Sequence, residues 1–176
     1  MVKRLAQQFG AARRKAIDGF LDDRYISRIK RLEAVHMVKL MVGKKGSGKT
    51  KKMIDTANDY VRDSKGSTIF INNDRRLTCD LNYRMRVVCV EDYQQLGTID
   101  EYIGFIMGII SSDHDIEMIF VDSVTKHADI SLENLAAFIE KLDKISKDFE
   151  IEFIVSISAD KEELGSIVDT HEILND

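Results

Sequence analysis

No proline occurs among the 176 residues, so no φ is locked and no backbone donor withdrawn, and glycine is left to punctuate the turns. Cysteine is nearly absent. Cys79 and Cys89 are the only two, and neither stands at metal-ligand spacing from further cysteine or histidine, which argues against a zinc site and leaves reduced core thiols as the expectation. His114 and His127 fall in loops without such spacing and read as solvated. Long apolar runs are missing too: the longest, "IGFIMGII" from Ile103 to Ile110, is far short of the roughly 20 residues that a membrane span needs. Near the amino end, Gln7, Gln8, Arg13, Arg14 and Lys15 interrupt any signal-peptide apolar core, so a cytoplasmic location is expected.

What is present is a chain with 44% apolar residues, long enough for one well-buried domain. A net charge of −4 argues against wholesale binding to nucleic acid or membrane, but the average hides an asymmetry. Residues 1–36 hold nine Lys/Arg against four Asp/Glu, whereas the remainder is acidic. Within that basic segment Leu5, Phe9, Ala12, Ala16 and Phe20 recur at helical spacing. It reads as a basic helical extension (1–36) to a domain spanning 37–176, suited to contacting nucleic acid, an acidic membrane surface or another subunit. A plainer alternative is that it packs on the domain or lies outside the fold, with Met37 as the natural start.

From Val38 onward, short β-branched runs alternate with helical stretches. Strands are expected at 38–42, 67–72, 86–90, 116–122 and 151–158, each apolar on consecutive positions, as strands buried on both faces should be. Helices are expected from Gly48 to Arg62, from Thr98 with a Thr98/Glu101 capping box, from Ser131 to Asp148, and after Asp160 with a second box through Glu163. The alternation implies an α/β fold: a parallel five-stranded sheet with helices on both faces. Ligands of such sheets bind outside the carboxyl ends of the strands. That rule selects Gly43 and its loop, "NNDRR" at 72–76, "EDY" at 91–93, "DSVTK" at 122–126 and "SADK" at 158–161.

"GKKGSGKT" fits the pattern G-x-x-x-x-G-K-[ST] at Gly43, Gly48, Lys49 and Thr50, with an apolar strand before it and an amphipathic helix after it. Glycines there allow Gly43, Lys44, Lys45, Gly46, Ser47 and Gly48 to turn backbone N–H groups inward, and the helix adds its positive end, which makes a nest for a di- or triphosphate. Lys49 would reach the β- and γ-phosphates, and the Thr50 hydroxyl would ligate Mg²⁺.

On these residues the chain resembles the P-loop NTPase superfamily from Met37 onward, in its RecA-like branch. The resemblance implies a three-layer sandwich with ATP and Mg²⁺ as ligands. It assigns Asp122, which closes "MIFVD", to the acidic position that holds the metal together with Thr50. Many relatives carry a catalytic Glu one residue later, where this chain has Ser123, so slow turnover is expected. Glu91 at another strand end is the candidate for polarising the attacking water, and a helix-start cap is its ordinary alternative. Ser156 and Ser158 are candidates for sensing the γ-phosphate. Arg75, with Arg76 beside it, is a candidate for reaching phosphate, a second substrate or a neighbouring subunit's nucleotide; structural ion pairs are the alternative. Lys126 and Lys161 are weaker candidates of the same kind.

Three functions remain open. "GKKGSGKT", "FINND" and "SISAD" are similar to segments of short bacterial P-loop proteins often labelled twitching-motility ATPases, which implies a slow ATPase or nucleotide-dependent switch acting on a protein partner or within a homo-oligomer. "IFINNDRR" looks like the start of a nucleoside (thymidine) kinase, without that family's Asp-Glu pair or four-cysteine lasso. A DNA-associated RecA-like ATPase would use residues 1–36 as its contact.

Overall fold

A computed structural model describes residues 38–73, 75–93, 96–126 and 130–174. The basic segment 1–36 and its expected helix lie outside the described residues, as do Asp74 and His127.

β1 (Val38–Val42) runs into the glycine-rich loop, and α1 (Lys49–Asp63) leaves it. β2 (Ser67–Asn72), a 3₁₀ segment at Arg75–Asp80, β3 (Arg86–Cys89) and a short 3₁₀ turn at Val90–Asp92 follow. Then come α2 (Ile99–Ser111), β4 (Ile116–Val121), a 3₁₀ turn at Val124–Lys126, α3 (Leu135–Phe149) and β5 (Glu152–Ile157). A 3₁₀ turn at Lys161–Leu164, α4 (Ile167–Thr170) and β6 (Glu172–Ile173) complete the described chain. The strands form one parallel sheet in the order β3-β2-β4-β5-β1-β6. It has six strands rather than the expected five. The sixth is the two-residue β6, which pairs with Lys39 and Leu40 of β1 and is too short to leave a periodic signal.

Alternation along each strand sends side chains to two separate cores. Leu40, Ile69, Ile71, Ile119, Val121, Phe153 and Val155 pack beneath α2 and α3, whereas Met41, Phe70, Phe120 and Ile154 pack beneath Met53, Ile54, Ala57 and Val61 of α1. Helices therefore cover both faces. Leu135, Phe138, Ile139, Leu142 and Ile145 recur at helical spacing and are buried in α3, at about 1.5–3 kcal/mol each. α2 is capped as expected, with Thr98 accepting from the Glu101 N–H and Glu101 accepting from the Thr98 N–H.

Two helix expectations need correction. α3 begins at Leu135, not Ser131, because the Asn134 side chain accepts from the Ser131 N–H and closes a turn that leaves Leu132 exposed. The helix after Asp160 is split: its capping box closes only a 3₁₀ turn, and Gly165, at φ 51° and ψ −131°, breaks the path before α4. Cys89 is buried, but Cys79 is exposed and is not a core thiol. Among the described residues no helix is long and apolar enough to cross a membrane.

Candidate functional site

The loop between β1 and α1 is shaped by its glycines. Gly46 and Gly48 have φ of 86° and 87°, a region in which a side chain is strained. Gly48 is the residue before the first turn of α1, and its carbonyl accepts the N–H of Lys52, so the N–H groups of Lys49 and Thr50 precede the helical ladder and have no partner within it. The Gly43 N–H is tied to Ile157 O at 3.3 Å, which anchors the loop's entrance to β5. The Lys49 ammonium folds over the loop and donates to the carbonyls of Gly43 at 2.5 Å and Lys44 at 2.8 Å. Burial pushes its pKa below 10.5, with Asp122 pulling upward and Lys126 adding to the depression. Such a nest, at the positive end of a fifteen-residue helix, can hold an anion.

Beside it stands a polar row that spans three strands. Ile71 pairs with Val121 and Val121 with Val155, so one step further Asn72, Asp122 and Ser156 stand abreast at the carboxyl ends of β2, β4 and β5. Asp122 is only 4% exposed, and its backbone N–H continues the ladder to Ile71 O at 2.9 Å. Its carboxylate accepts from the Thr50 hydroxyl at 3.1 and 3.2 Å and from the Ser156 hydroxyl at 2.7 Å. Ser156 Oγ in turn accepts the Ser123 N–H at 2.6 Å. A carboxylate buried this deeply would be costly without such partners.

Thr50 and Asp122 are 72 positions apart in sequence. Together they offer a hydroxyl and a carboxylate oxygen beside an anion nest, a hard-oxygen pair that suits Mg²⁺ completed by phosphate and water. Among the described residues there is no cluster of three or more His, Cys, Asp or Glu that would hold a metal by protein ligands alone.

The other expected residues fall elsewhere. Glu91 is exposed on the 3₁₀ turn after β3 and accepts from the Asn73 amide at 3.2 Å. Arg75 is exposed and forks onto Asp92, with Nε to Oδ1 at 2.8 Å and a terminal nitrogen to Oδ1 at 2.7 Å; that carboxylate raises its pKa. Arg75 and Glu91 follow β2 and β3, three and four places across the sheet from β1, which is roughly 14 and 19 Å at about 4.8 Å per strand, and each is paired there with a neighbour rather than with the loop. Lys44 pairs with Asp160 at 3.1 Å, and Lys126 acts on Lys49 through its charge. Ser158 is half-buried and His114 exposed. Ser123 contributes its backbone rather than its side chain, with φ at 56° immediately after Asp122.

One hollow lies against the loop and another along α1. The first, about 200 Å³, is lined by Met41, Gly43, Ser47, Lys49, Lys52 and Leu174. The other, about 560 Å³, is lined by Thr50, Lys51, Ile54, Asp55, Asn58 and Asp80.

No family model matches the chain, and no curated protein matches it. Among solved structures it is similar to that of C. elegans PCH-2, at a TM-score of 0.44 and 12% identity over 82% of this chain. The chain spans only 36% of that protein's length, and a likeness this weak decides nothing about function.

Proposed function

We propose that the chain binds a Mg²⁺–nucleoside triphosphate, ATP by default, and hydrolyses it slowly, serving as a nucleotide-dependent switch for a protein partner or a second copy of itself. The observation that carries this reading is the pair Thr50–Asp122, held 3.1–3.2 Å apart beside the anion nest. A glycine-rich turn of no function has no use for a buried carboxylate aimed at its helix's first turn. Bound there, Mg²⁺ would neutralise charge on the β- and γ-phosphate oxygens. Thr50 and Asp122 would hold it, Ser156 keeps Asp122 in place, the loop N–H groups bind phosphate oxygens, and Lys49 exchanges its carbonyl partners for phosphate. Slow turnover follows from Ser123, which places no carboxylate beside Asp122.

ATP titration with and without Mg²⁺ tests this on the wild type and Asp122→Asn. The wild type should bind more tightly with Mg²⁺, and the variant should lose that enhancement while retaining metal-free binding. Equal Mg²⁺ dependence in both would remove Asp122 from the site.

The 560 Å³ hollow beside Thr50 favours a second reading, phosphoryl transfer to a small acceptor seated there. Phosphate release measured with added nucleosides, and separately with single-stranded DNA, separates the readings. Transfer to a nucleoside would replace the switch by a kinase, and a DNA-stimulated rate would favour a nucleic-acid contact.

A further inference from the structure

Among the described residues, Thr68 and Asn72 are the buried side chains with polar atoms that lack a hydrogen-bond partner. Thr68 lies toward the amino end of β2, away from the loop. Asn72 closes β2 at the carboxyl end, is 1% exposed, and has both its Nδ2 donor and its Oδ1 acceptor unpartnered. An interior amide with neither kind of bond made is costly, and an apolar side chain of similar size would be the stabler choice. Its presence calls for a partner outside the chain.

Its surroundings identify that partner. Phe70, two residues earlier, packs on the α1 side of the sheet, and strand alternation sends Asn72 to the same face. That face also carries Asp122, bound to Thr50 of α1, and Asn72 stands abreast of Asp122 on the adjacent strand. Ser156 reaches Asp122 directly from the strand on the other side, at 2.7 Å, whereas Asn72 makes no such bond and leaves both its amide atoms for a group outside the chain.

We propose that Asn72 positions the attacking water of the nucleotide site described above, on whose correctness this inference rests. Oδ1 accepts a hydrogen bond from the water, and Nδ2 donates to a γ-phosphate oxygen, which fixes the water against phosphorus. The water oxygen forms the new P–O bond while the bond from γ-phosphorus to the bridging oxygen breaks. The water's proton goes to a phosphate oxygen, because an amide does not take it. A residue that orients without accepting a proton gives hydrolysis that is directed but slow.

The test uses the full chain with Mg²⁺ and γ-labelled ATP under single-turnover conditions, with ATP affinity and melting temperature measured alongside. Asn72→Leu should lower the hydrolysis rate ten- to a hundredfold, with a much smaller loss of ATP affinity from the missing γ-phosphate contact and a melting temperature unchanged or raised. Asn72→Asp keeps an acceptor for the water but loses the Nδ2 donor and sets a carboxylate against the γ-phosphate and Asp122, so it should be slow at neutral pH and gain rate as that carboxyl is protonated at lower pH, a dependence the wild type lacks. An unchanged rate in Asn72→Leu, a lowered melting temperature accompanying the lost rate, a loss confined to affinity, or an Asn72→Asp that gains no rate at low pH would each overturn the inference. So would a wild type that binds ATP and never cleaves it. Those outcomes leave the nucleotide site standing; a wild type that fails to bind ATP removes both.

Discussion

Ser156 offers the sharpest perturbation of the polar row, because it is fully buried and its hydroxyl makes two bonds: it donates to Asp122 and accepts from the Ser123 N–H. Ser156→Ala removes a charge-assisted bond, worth about 1.5–3 kcal/mol, and orphans a buried N–H at about 1–3 kcal/mol. The two share one atom and do not add fully, so the expected cost is about 2–4 kcal/mol. A domain of roughly 140 residues with about 2.1 cal/mol/K of unfolding entropy per residue loses about 3–4 °C per kcal/mol. The melting temperature should therefore fall by about 7–14 °C. Asp122 also loses a partner that orients it, and Mg²⁺-dependent ATP affinity should weaken on the order of tenfold, as when a supporting group behind a metal ligand is removed. Differential scanning calorimetry and ATP titration read the two effects. A Ser156→Ala protein with wild-type melting and wild-type Mg²⁺ dependence would refute the claim that this hydroxyl holds the carboxylate.

Other perturbations follow from the same geometry. Gly48→Ala forces a side chain into φ of 87°, at about 1–2 kcal/mol, and should lower the melting temperature by a few degrees and weaken ATP binding. Arg75→Ala breaks only an exposed pair with Asp92 and should leave ATP affinity unchanged by titration; a large loss would return Arg75 to the site. Burial lowers the Lys49 pKa, so the ammonium proposed to bind phosphate is lost at a lower pH than for a free lysine, and a bound anion would pull that pKa back up. ATP affinity should accordingly fall as pH rises toward 10.5, with proton uptake on binding visible as a buffer-dependent heat in calorimetry, and Lys49→Ala should show neither.

What the sequence revealed of the fold and site follows the range of the interactions involved. The glycine-rich loop between β1 and α1 was legible because Gly43, Gly48, Lys49 and Thr50 are nearly contiguous and the strand and helix around them carry strong periodicity. The five longer strands were legible from their apolar runs, whereas β6 owes its existence to the edge that Lys39 and Leu40 present. Asp122 could be picked out as a charge ending an apolar run. Its bond to Ser156 could not, since that depends on the register between β4 and β5. The same holds for the pairing of Arg75 with Asp92 and for the left-handed Ser123, neither of which has a local signal. Asn72 was legible both as the last residue of the strand at 67–72 and as the first of the polar stretch "NNDRR", but its burial was not.

The central claim is that the loop at Gly43–Thr50 holds the triphosphate of a nucleotide. Titration of Mg²⁺–ATP against the wild type and Lys49→Ala tests it most directly. The wild type should bind saturably, and removing the ammonium should cost at least tenfold in affinity with the fold intact by circular dichroism. Equal affinity in the two proteins would contradict it.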